Sequence, residues 1–111
     1  MNPGARIQRA APMEKAVGII ISVADPDRII LFGSRARGGG DQDADFDILV
    51  LKRGVKNPLR MAQQIYMAFA GIGAPMDVIV EDQERFERLK DDPYLIYHEA
   101  AHKGTVIYEK P

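Results

Sequence analysis

Residues 29–51 read Ile-Ile-Leu-Phe-Gly-Ser-Arg-Ala-Arg-Gly-Gly-Gly-Asp-Gln-Asp-Ala-Asp-Phe-Asp-Ile-Leu-Val-Leu. An apolar, β-favouring run from Arg28 to Phe32 predicts a buried strand. Gly33 breaks it, and Ser34 can cap a short helix over Arg35-Ala36-Arg37 that Gly38 closes. A polar glycine-rich loop follows. Asp45 and Asp47 then head a second apolar run, Asp45 to Leu51. Along an extended strand Asp45, Asp47, Leu49 and Leu51 share one face, and Phe46, Ile48 and Val50 share the other.

Working outward, a helix is expected from Pro12 to Ala24, with Met13, Val17, Ile20 and Ala24 at helical spacing. Asp25-Pro26-Asp27 ends it. Residues 1–11 lack periodicity and read as a flexible tail, leaving 12–111 as a single domain. Beyond the second strand, Pro58 opens a helix to about Ala70, with Leu59, Ala62, Ile65, Tyr66 and Phe69 inward. Gly71 and Gly73 stop it. Met76 to Val80 predicts a third strand, with Asp77 at its start. Helices follow at Glu81–Lys90, with Phe86 and Leu89 inward, and at Tyr94–Lys103, packed by Tyr94, Leu95, Tyr97 and Ala101. A short final strand spans Thr105–Tyr108. The order α-β-α-β-α-β-α-α-β predicts one α/β domain, with helices covering a small sheet. It gives neither strand order nor direction.

The chain has 111 residues, enough for one domain with a core. With 15 basic and 16 acidic residues, no global positive field points to nucleic acid. Asp41, Asp43, Asp45 and Asp47 nevertheless concentrate negative charge within seven residues. The absence of cysteine excludes disulfides, thiolate zinc sites and cysteine nucleophiles, and suits a reducing compartment. Residues 16–24 after Arg6 and Arg9 imitate a secretory signal, but Glu14 and Lys15 interrupt the pattern. A cytoplasmic location is expected. No apolar run reaches the roughly 20 residues of a membrane span.

Asp45 and Asp47 lie about 6.6 Å apart along a strand. Their carboxylates can converge on two divalent ions, and hard oxygen donors suit Mg²⁺ or Mn²⁺. Asp77 offers a third carboxylate, provided that the second and third strands are neighbours. A solvated Asp-x-Asp pair is the bland alternative. The apolar strand and the glycine-rich turn beside this pair favour the metal site. Gly33 lets backbone approach a ligand, and Ser34 with the following amides points donors at an anion. The Gly-Lys-Ser/Thr ending of a P-loop is missing.

The combined pattern, Gly33-Ser34, ten residues, then Asp45-Phe46-Asp47-Ile48 with a later Asp77, resembles the DNA polymerase β-like nucleotidyltransferase superfamily. Gly33-Ser34-Arg35-Ala36-Arg37-Gly38 is most similar to its smallest branch, the minimal nucleotidyltransferases. The resemblance implies a polymerase β-like palm with a small mixed sheet. It implies that Gly33 and Ser34 hold the triphosphate of ATP, and that Arg35 and Arg37 contact phosphates. A surface salt bridge to nearby acids is an equal alternative for Arg37. By the same resemblance Asp45 and Asp47 bind two Mg²⁺ (or Mn²⁺) ions. Asp77 binds the catalytic one and helps deprotonate the attacking hydroxyl. The branch commonly has serine where this chain has Ala44, so a hydroxyl contact is lost but no metal ligand.

Superfamily members that act alone carry a second, acceptor-binding domain, and none is legible here. The branch implies a separate acceptor: a small helical HEPN-type toxin, with this chain the antitoxin that transfers AMP to its tyrosine. Two other readings compete. One is a non-catalytic module that neutralises a partner by contact. The other is a zinc protease through His98-Glu99-x-x-His102, a five-residue match on a helix whose histidines equally suit a solvated face.

Overall fold

The computed structural model describes residues 3–33 and 46–111. Helix α1 spans Pro3–Ala24 with Pro12 inside it. It therefore reaches back past the expected start at Pro12. Gly4 aside, residues 4–11 contain strong helix formers such as Ala, Arg and Gln, which sustain a helix despite the one donor that Pro12 lacks. Ala16, Ile20 and Ala24 enter the core. Asp25 ends the helix at φ 45°, a left-handed conformation that a short polar side chain tolerates.

Strand β1 (Arg28–Phe32) is followed by β2 (Phe46–Lys52), β3 (Met76–Asp82) and β4 (Thr105–Glu109), arranged in the order β3-β2-β1-β4. β1 pairs antiparallel with β2 and with β4, while β2 and β3 run parallel. The sheet is therefore mixed. Helix α2 (Pro58–Ala68) makes the crossover between the parallel strands, and α3 (Gln83–Leu89) and α4 (Ile96–Lys103) lie between β3 and β4.

Strand alternation sorts the side chains onto two faces. On one, Phe46, Ile48, Val50, Met76, Val78 and Val80 pack against α1, against Ala62 and Ile65 of α2 and against its C-cap Phe69. On the other, Ile30, Phe32, Leu49 and Leu51 pack against Phe86 of α3 and Ala100 of α4.

Four expectations need correction. Leu59 is 71% exposed and Tyr66 44%, because α2 overhangs the outer edge of β3, where no further strand lies beneath it among the described residues. Glu81 belongs to β3, not to the next helix. Asp82 is the N-cap of α3, its carboxylate accepting from the Arg85 N–H, so the helix cannot start earlier. Tyr94 is 93% exposed and Leu95 36%, both ahead of α4 and not on its packed side. In α4 the buried residue is Ala100, and Ala101 faces out.

Candidate active site

The sheet register assembles the site. Phe32 of β1 is the partner of Asp47 in β2, and Asp47 is the partner of Asp77 in β3. In-register residues of adjacent strands face the same way. Their neighbours Phe46, Met76, Ile48 and Val78 all turn to the α1/α2 face. The two carboxylates therefore stand side by side on the opposite face, about one strand spacing (~4.8 Å) apart at the backbone. Asp47 is half-buried and Asp77 exposed.

Gly33 follows Phe32 directly and closes the arrangement. Its φ of 78° lies in the left-handed region. A β-carbon there would collide with the Asp47 carboxylate and come within 3.1 Å of its Cγ and 3.4 Å of its Cβ. The absent side chain is the space into which Asp47 projects. Gly33 thus shapes the carboxylate site.

Two carboxylates on adjacent strands repel, and a cation between them relieves the repulsion. The donors are hard oxygens, which fit Mg²⁺ or Mn²⁺ and not a thiophilic metal. Ser34, Arg35, Arg37 and Asp45, the other expected site residues, lie outside the described residues, as does Ala44. Among the described residues, no group of three His, Asp or Glu side chains is placed to hold a metal ion.

The sequence reading missed one group beside the site. Tyr66 was expected in the core. Its hydroxyl instead accepts the backbone N–H of Val78 at 2.7 Å, next to Asp77. Nothing within α2 signals this, since the acceptor and donor meet only in the folded chain.

The second candidate constellation is arranged differently. His98 and His102 are one turn apart on α4 with ring centroids 4.3 Å apart. The His102 Nε2 lies 3.0 Å from the Asp91 Oδ1. Glu81, which had no expected role, is 8% exposed and accepts from the Tyr97 hydroxyl at 2.6 Å and from Arg85 at 3.1 Å. It ties α4 to β3 on the same sheet face as the two aspartates, four residues along the strand from Asp77. Burial, and then the bond to Glu81, push the Tyr97 hydroxyl up to about 12. No helix among the described residues is long and apolar enough to cross a membrane.

Comparison with solved structures returns the same fold. A protein described as a nucleotidyltransferase from Sulfolobus solfataricus matches with a TM-score of 0.64 at 23% identity, covering 96% of this chain and 86% of that one. A mutant MntA–HpeT toxin–antitoxin pair matches at 0.56 and 16%, over 87% of this chain and 73% of that one. A toxin–antitoxin structure with AMP-PNP matches at 0.54 and 17%, with the same coverage. A search of curated proteins gave no significant match. The family model "Polymerase beta, Nucleotidyltransferase" matches residues 14–111, which takes in the whole sheet, Gly33 and both aspartates. The chain belongs to the polymerase beta nucleotidyltransferase family.

Proposed function

We propose that this chain transfers AMP from ATP to a hydroxyl of a separate HEPN-type toxin and so acts as its antitoxin. The observation that carries the site is the pairing of Asp47 with Asp77 beside Gly33. The likeness to structures of a toxin–antitoxin pair, one of them with AMP-PNP, supports the partner and the donor.

In this reading Asp45, Asp47 and Asp77 hold two Mg²⁺ (or Mn²⁺) ions. Bound there, divalent ions supply the positive charge that the phosphate oxygens need. Gly33 and Ser34 seat the triphosphate through backbone and hydroxyl donors, and Arg35 and Arg37 contact its phosphates. Asp77 accepts the proton of the attacking hydroxyl. A bond forms from that oxygen to the α-phosphorus, and the bond to pyrophosphate breaks. The chemistry is a transfer between positioned groups, so it needs no cysteine or histidine nucleophile.

The test is mass spectrometry of the partner toxin after incubation with this protein, ATP and Mg²⁺. One or more added AMP groups on the wild-type reaction, and none with Asp47→Ala, is the expected result. Toxin neutralised equally well by Asp47→Ala, with no mass added, would overturn catalysis in favour of neutralisation by contact.

A further inference from the structure

Strand β3 is an edge of the sheet, and it carries Asp77. Edge strands expose a row of peptide groups and are the easiest to fray. The Phe46 N–H donates to the Pro75 carbonyl at 3.0 Å, so the odd-numbered peptide groups of β3 face β2. The even-numbered ones face outward, away from β2. Val78 is one of these, and its N–H is the group that the Tyr66 hydroxyl receives at 2.7 Å.

Tyr66 is well placed to do this steadily. Its ring meets Phe69 edge-on at a centroid distance of 6.4 Å, and Phe69 is buried in the core. The hydroxyl is thus held by packing on α2, a different element from the strand that it braces. The peptide bond between Asp77 and Val78 is gripped on both sides. Asp77 is held by the β2 ladder, and Val78 by α2.

We propose that Tyr66 is a positioning residue for the metal site. By closing the outer edge of β3 one residue after Asp77, it fixes the strand start and so the place of the Asp77 carboxylate relative to Asp47. This rests on Asp77 being a metal ligand, as argued above. A ligand held on a fraying edge spends part of its time away from its partner, and metal affinity falls accordingly.

The probe is Mn²⁺, titrated by electron spin resonance with AMP-PNP present, on the wild type, Tyr66→Phe, Asp77→Asn and the double variant. Ile65→Val serves as a control that loosens the buried face of α2 but leaves Tyr66 and its contact with Phe69 in place. Tyr66→Phe is expected to raise the half-saturating Mn²⁺ about tenfold, the low end for a residue behind a ligand. Ile65→Val keeps the wild-type value, and adding Tyr66→Phe to Asp77→Asn weakens binding no further. Unchanged affinity in Tyr66→Phe while Asp77→Asn binds weakly overturns the positioning role and leaves the site assignment standing. Additive losses, or an equal loss in Ile65→Val, also overturn it. Unchanged affinity in Asp77→Asn overturns the site assignment itself.

Discussion

Single atoms decide the tolerances around the carboxylates. Gly33→Ala meets two obstacles: a left-handed φ and the Asp47 carboxylate. The conformation alone costs about 1–2 kcal/mol, and the collision displaces Asp47. Urea denaturation should show that loss, and Mn²⁺ affinity should fall with it. Gly18→Ala is the opposite case. It sits exposed in α1 with nothing within 4 Å of a new β-carbon. Replacing it should stabilise the chain by about 0.5–1 kcal/mol in the same assay.

Tyr97 sets a pH dependence at this scale. Its hydroxyl stays protonated in the folded chain up to about 12, whereas an unfolded tyrosine ionises near 10. Between those values only the unfolded chain gives up the proton. Stability is therefore complete below pH 10 and declines as pH rises toward 12. Thermal melts across this window should show the decline in the wild type, and a shallower one in Tyr97→Phe. An equal slope in both would contradict the assignment.

At the scale of elements, the junction of β3 and α3 turns on Asp82. Its carboxylate accepts from the Arg85 N–H at 3.0 Å and the Gly54 N–H at 2.8 Å, and these bonds hold its pKa below the ordinary value. The stability it contributes is present above the ordinary carboxylate pKa and disappears as pH falls through the depressed one. Asp82→Ala should lower the melting temperature at pH 7 and remove part of the acid sensitivity, as thermal melts at both pH values would reveal. The strands themselves were legible. Arg28–Phe32 and the apolar part of β2 follow from unbroken β-favouring runs, and Pro58 and Gly71 bracket α2. Helix starts were harder. Asp82 and Glu81 look alike in a charged stretch, and only the cap bond shows where the strand ends.

Across the whole molecule, the two-faced sheet explains which apolar residues matter. Ile48 is fully buried under α1 and α2, whereas Leu59 overhangs the sheet edge. Ile48→Ala should cost about 2–5 kcal/mol, and Leu59→Ala should stay within about 0.5 kcal/mol. Equilibrium unfolding separates the two directly. The helical period of α2 places Leu59 with Ala62 and Ile65, so periodicity alone ranks it as core. Where the sheet stops is a property of strand order, and strand order is not periodic in the chain.

The chain by itself determined the ingredients: a strand ending at Gly33, a second apolar strand headed by the Asp45-Phe46-Asp47 segment, a third begun by Asp77, and an α/β fold. Local causes produce these, namely side-chain shape, alternation and backbone freedom, and they act over a few residues. Only the tertiary structure decided that β2 and β3 are parallel neighbours in the register that pairs Asp47 with Asp77. It also decided that Gly33 leaves room for the Asp47 carboxylate and that Tyr66 closes the edge beyond Asp77. Those facts join residues 12 to 30 positions apart. They depend on which faces the helices bury against the sheet, and no short stretch of sequence specifies that.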